Sequence, residues 1–202
     1  MNGLGSKPSG SDALSAAGQW TAGWWVHARP VVSPNFDERP AGVTIDMVVM
    51  HYISLPERQF GTGAPLDLFC NRLNPAQHPD FEPLRGLRVS SHFFIARTGE
   101  VMQLVSCLHR AWHAGVSQWR GREKCNDFSI GIELEGSSLE AFEPAQYRSL
   151  AALCDSISAQ WAVSHWVGHS DIAPERKSDP GPFFDWSQLP KIAAENDRSV
   201  QK

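Results

Sequence analysis

The chain has 202 residues, 42% of them hydrophobic and 20% charged, which fits a single soluble globular domain and argues against global disorder. Its 18 Lys and Arg against 22 Asp and Glu give a net charge of −4, so the basic excess of a nucleic-acid binder is missing. No apolar run approaches the roughly 18 residues of a membrane span.

Residues 1–19 are rich in Gly, Ser and Ala and carry no aromatic side chain. They cannot bury enough surface to offset the entropy of ordering, so a flexible extension is expected there, with the domain spanning 20–202. Pro30, Pro34 and Pro40 favour an extended arm lying over the surface. The run Ile45 to Ile53 is almost continuously apolar and rich in β-formers, as in a strand buried on both faces, and it carries His51 near its end. The stretch 54–88 reads as loop-rich, with a helical turn near Asp67 to Asn71. Val89 to Val105 predicts two strands joined by a turn at Arg97-Thr98-Gly99, because a short Gly-containing break between apolar runs signals a hairpin. After a second loop-rich stretch, 106–128, the segment Ser129 to Glu135 alternates. Ile130, Ile132 and Leu134 fall on one face; Gly131, Glu133 and Glu135 fall on the other. From Pro144 to Trp161 apolar residues recur at three- and four-residue intervals, the signature of an amphipathic helix with proline in its first turn. A short helix is expected around Ser187 to Asn196. Strands interspersed with helices, one pair of strands forming a hairpin, predict an α/β domain with a mixed central β-sheet packed by helices.

Eight His and eight Trp stand against only two Tyr, so metal or flat-ligand chemistry has to be weighed against ordinary packing. A hydrolytic zinc site needs about three protein ligands and one open position. His51 is one candidate. A second group lies in the proline-bounded segment Gly168 to Pro182, which presents His169, Asp171, Lys177 and Asp179. On the residues alone Asp171 and Asp179 both stay open as the carboxylate ligand. His165 and His169 mimic a helical i, i+4 zinc pair, but Trp166 stands where the H-E-x-x-H pattern needs Glu, and Gly168 interrupts it. Cys125 as a thiol nucleophile lacks any histidine locally implied as its base. The four cysteines, at 70, 107, 125 and 154, form no C-x-x-C pair, and the N-terminus lacks a signal-peptide pattern. A reducing cytoplasm with free thiols is therefore expected.

Four blocks in order, VVMHYISLP (48–56), RAWHAG (110–115), NDFSIGIELEG (126–136) and the 168–182 loop, resemble the zinc N-acetylmuramoyl-L-alanine amidases of the peptidoglycan-recognition superfamily. The similarity runs from about Trp24 to Trp186 and is greatest to the cytoplasmic branch acting on anhydro-muropeptides in cell-wall recycling. It implies one zinc ion per chain on His51, His169 and Asp179, with Glu133 as general base and Lys177 beside the scissile carbonyl. It further implies Arg88 and Lys124 as contacts for stem-peptide carboxylates; Trp112, inside a matched block, is a candidate either to line the substrate groove or simply to pack. At 124 this chain has Lys where the resembling proteins have Arg, keeping the charge without the bidentate fork. The implied substrate is an anhydro-muropeptide cleaved by a monomer, with no nucleic-acid or membrane partner. A general amidase acting on intact peptidoglycan is the alternative, and a non-catalytic peptidoglycan-binding module is a second. All three implied ligand positions are filled, which favours catalysis over binding alone.

Overall fold

The computed structural model describes residues 19–190. The expected N-terminal extension, up to residue 18, lies outside the described residues. Six strands form the central sheet: β1 (Arg29–Pro30), β2 (Met47–Ile53), β3 (Phe93–Ile95), β4 (Val101–Gln103), β5 (Ser129–Glu135) and β6 (His165–Gly168). Their spatial order is β6-β2-β5-β3-β4-β1. The strands β6, β2, β5 and β3 run parallel, β3 and β4 form the antiparallel hairpin, and β1 lies parallel to β4 at the edge. The sheet is thus mixed, as the sequence predicts.

Among the described residues three α-helices accompany it: α1 (Ala64–Phe69), α2 (Pro144–Gln160) and the single turn α3 (His169–Ile172). One face of the sheet is covered by α2, whose Leu150, Leu153, Cys154 and Ile157 are fully buried against Val48, Met50, Ile130, Ile132 and Phe93. Gln146 in its first turn fastens the helix to the sheet, its amide donating to the carbonyls of Ile95 and Glu135 at 3.0 Å each. Five of the tryptophans that stand out in the composition, Trp20, Trp25, Trp161, Trp166 and Trp186, pack into this layer.

The opposite face is covered by loops, α1 and α3, in two smaller apolar clusters. Met47, Val49 and Val167 pack with Phe128 and Ile172; Phe94, Met102 and Leu104 pack with Phe69. The gap between these clusters is where the polar residues of β2 and β5 emerge.

Two expectations change. Pro30, read as part of a surface arm, lies in β1 and extends the sheet; a proline fits there because an edge strand has one side with no partner for an N–H. The helix expected around 187–196 is a single 3-10 turn, Trp186–Gln188, as far as Pro190, and the rest of that stretch lies outside the described residues. Asp185 caps the turn through the Ser187 N–H at 3.0 Å, and Leu189 is extended, as the residue before Pro190 is obliged to be. No described helix is long and apolar enough to cross a membrane.

Candidate metal centre and cleft

Register builds the site. In the parallel pairing of β2 and β5, His51 lies opposite Glu133 and Val49 opposite Gly131, so these side chains share the face away from α2. On the other flank β6 pairs with β2 up to Gly168 opposite Met50, which delivers His169 to the level of His51 just as the chain turns into α3. The functional groups therefore collect at the carboxyl ends of three parallel strands, the usual place for ligands in sheets of this kind.

The loop after α3 returns to this point. A Cβ on Gly168 would come within 2.6 Å of Pro180 Cδ, so the glycine allows the loop to close against the strand end. Asp179 is thereby brought against both histidines. Its Oδ2 lies 2.9 Å from His51 Nδ1 and 3.1 Å from His169 Nδ1, and the two Nδ1 atoms are 3.0 Å apart. All three residues are buried. Asp171, left open by the sequence, is used otherwise: its carboxylate accepts the Gly168 N–H at 2.7 Å and caps α3.

This donor set fits a cation. The Ala114 carbonyl can only accept, so His169 Nε2, 3.1 Å from it, carries the proton, and Nδ1 presents a lone pair. Burial holds His51 down to about 4, so this imidazole is neutral at pH 7 and keeps a single proton. Asp179 is a carboxylate facing both rings, and a carboxylate is ionised at pH 7. An anion and two neutral imidazoles thus converge on one point, and nitrogen–nitrogen–oxygen is a donor set suited to zinc.

Beside the three donors, a cleft of about 370 Å³ is lined by Glu133, Trp112, Lys177, Ser178 and Arg176, together with Leu68, Leu84 and Leu87. Glu133 is buried and its Oε2 has no hydrogen-bond partner. Burial, reinforced by the charge of Asp179 and opposed by Lys177, pushes its carboxyl well above the ordinary range. Glu135, two residues on, plays a structural part: its carboxylate accepts the backbone N–H groups of Gly61 and Arg97 and ties two loops to the sheet. The Arg39 guanidinium donates to the carbonyls of Asn126, Asp127 and Ser129, fixing the start of β5.

The structure thus brings together His51, His169, Asp179, Glu133, Lys177 and Trp112. Arg88 and Lys124 stand apart. Arg88 is exposed and lines an adjoining recess that shares Leu68, Leu84 and Leu87 with the cleft. Lys124 is also exposed, on left-handed backbone, and lines a larger groove of about 1150 Å³ beyond Arg176 with Trp119 and Glu123. Cys125 is buried and its thiol is pushed up by that burial, the opposite of an activated nucleophile.

Known proteins resemble this chain along most of its length. The N-acetylmuramoyl-L-alanine amidase family matches residues 41–182, a span that includes every donor and cleft residue named above. The chain belongs to that family. It is 50% identical over 170 residues to the 1,6-anhydro-N-acetylmuramyl-L-alanine amidase AmpD of Escherichia coli, covering 83% of this chain and 92% of the relative. A crystal structure of a selenomethionine AmpD derivative superposes with a TM-score of 0.83 at 46% identity, covering 85% of this chain and 97% of that one. A complex of the Escherichia coli amidase AmiD with anhydro-N-acetylmuramic acid-L-Ala-D-gamma-Glu-L-Lys aligns at 31% identity and a TM-score of 0.56, over 77% of this chain and 60% of that one.

Proposed function

We propose that this chain is a mononuclear zinc amidase that hydrolyses the bond between the lactyl group of 1,6-anhydro-N-acetylmuramic acid and L-Ala of the stem peptide, in peptidoglycan recycling. The observation that carries the reading is the convergence of His51 Nδ1, His169 Nδ1 and Asp179 Oδ2 within 3.1 Å of one another, beside a buried carboxylate oxygen with no partner. Similarity to AmpD supports the choice of the anhydro-muramyl substrate.

The three residues would hold one zinc ion, whose Lewis acidity acidifies water and polarises a carbonyl at neutral pH. Glu133 Oε2 takes the proton of the attacking water and then gives it to the departing amine of L-Ala. Lys177, on the loop that carries Asp179, donates to the scissile carbonyl oxygen as negative charge grows there; a contact of this type is worth roughly 2.7–4 kcal/mol. Trp112 offers an apolar wall to the sugar. Arg88 and Lys124, in the two recesses that adjoin the cleft, hold stem-peptide carboxylates and so align the amide. The enzyme acts as a cytoplasmic monomer without nucleic-acid or membrane partners; the four unpaired, buried cysteines support a reducing compartment.

Purified enzyme incubated separately with an anhydro-muropeptide and with intact sacculi tests the reading by mass spectrometry. The expected products are free stem peptide and anhydro-N-acetylmuramic acid from the first, with little released from the second. Equal release from both would favour a general wall amidase, and no cleavage of either would leave a binding module.

Lys177 separates binding from chemistry. Zinc-loaded Lys177→Ala is expected to keep its metal and roughly its KM while kcat falls by about 10²–10³. Lys177→Arg should rescue only in part, since guanidinium is broad and planar where ammonium is a compact charge. Loss of zinc from the alanine variant would instead show that Lys177 serves only to shape the loop.

A further inference from the structure

A chain of hydrogen bonds leads from the candidate metal centre into the protein, and its direction is fixed at the far end. Ser129 Oγ lies 2.5 Å from the Cys125 carbonyl, which can only accept, so the hydroxyl donates there. Its oxygen is then the acceptor for His113 Nε2 at 3.1 Å, which places the His113 proton on Nε2. His113 Nδ1 is left with a lone pair, 3.0 Å from His51 Nε2, so His51 carries its proton on Nε2 and donates it. His51 Nδ1 is thereby bare where it faces His169 and Asp179.

The surroundings hold this order in place. A Cβ on Gly131 would sit 2.5 Å from the His113 ring, so only glycine at that strand position admits the imidazole. The backbone N–H groups of His113 and Ala114 both donate to Asn126 Oδ1, at 3.1 and 2.8 Å. The next carbonyl along, Ala114, orients His169 through its Nε2. Two consecutive residues on one pinned segment therefore set the tautomers of both imidazoles.

We infer that Ser129 and His113 form a proton-ordered relay that holds His51 in the tautomer whose Nδ1 is free for the metal, which makes His113 a positioning residue rather than a ligand. The inference rests on the reading of His51, His169 and Asp179 as the zinc site. Partners behind a ligating histidine fix its tautomer and typically contribute about 10–100-fold in metal affinity.

The test measures zinc affinity by chelator competition for the full-length wild type and three variants, together with long-range imidazole ¹H–¹⁵N spectra of the metal-free proteins. His113→Ala is expected to bind zinc about 10–100-fold more weakly. His113→Asn, whose side-chain oxygen can accept from His51 Nε2, should recover part of that loss. Ser129→Ala removes only a hydroxyl remote from the metal position, yet it frees the His113 tautomer. It should weaken zinc binding and move the His51 spectrum from Nε2–H alone towards a mixture of both tautomers. Unchanged affinity and an unchanged His51 spectrum in Ser129→Ala and His113→Ala would overturn the relay. A wild type that binds no zinc would defeat the metal reading instead, and the spectrum would still judge the relay, since a His51 protonated at Nδ1 contradicts it.

Discussion

Replacing His51 or Asp179 with alanine is expected to take zinc content from about one ion per chain to near zero and amidase activity to background. Three protein donors are the usual minimum for a catalytic zinc, and either change leaves two. Neither loss has a substitute nearby, because among the described residues the only group of histidines, cysteines and carboxylates converging on one point is His51, His169 and Asp179. Asp171→Ala is the informative control. Its carboxylate caps α3 through the Gly168 N–H, so the change should cost about 1 kcal/mol of stability and leave zinc in place. Elemental analysis of the three variants decides the matter. Full occupancy in Asp179→Ala, or loss of metal in Asp171→Ala, would reverse the assignment of the carboxylate.

That ambiguity between two aspartates shows what the sequence could and could not carry. Spacing puts Asp171 and Asp179 in the same loop as His169, and either has the right chemistry. What separates them is that α3 turns the Asp171 side chain back onto its own N-terminus while Gly168 lets the loop close at Pro180. Such close approach is a property of the folded chain, and the resemblance to the amidase family supplied the answer in its place. The strand β2, the β3–β4 hairpin, β5 and α2 were legible from an apolar run, a glycine turn and clear periodicity, whereas β1 and β6 are short and were not legible as strands; the alternation in β5 put Gly131, Glu133 and Glu135 on one face. The part played by His113 was not legible. Its match to a family block marks the segment, but the hydrogen-bond order that ties it to His51 depends on Ser129, 16 residues away, and on a carbonyl that no pattern of side chains reveals. The carboxylate contacts implied for Arg88 and Lys124 belong to surfaces whose geometry is set by irregular loops, where periodicity has nothing to say.

Glu133→Gln is expected to keep its zinc and bind substrate with a similar KM, yet lose about 10²–10⁴ in kcat, because glutamine preserves the shape but cannot take a proton from water. The same substitution should stabilise the protein. Burial first, and the Asp179 charge second, push the Glu133 carboxyl well above its ordinary 4.5, so the folded state resists ionisation that the unfolded chain accepts. A carboxyl raised in this way is without effect on stability below about pH 4, where both states are protonated, and becomes a growing liability as pH rises, since the unfolded chain releases its proton first. Glutamine removes that liability. In metal-stripped protein, the Tm of Glu133→Gln should therefore match wild type near pH 4 and exceed it increasingly towards neutral pH. This pattern is expected where a buried polar group is kept for chemistry at the expense of stability. Thermal melts across that pH range, paired with kcat and KM on the zinc-loaded forms, supply both readings. A variant with wild-type kcat would remove Glu133 from proton transfer, and one that melts below wild type at neutral pH would mean that its carboxylate stabilises the fold through contacts that offset its burial.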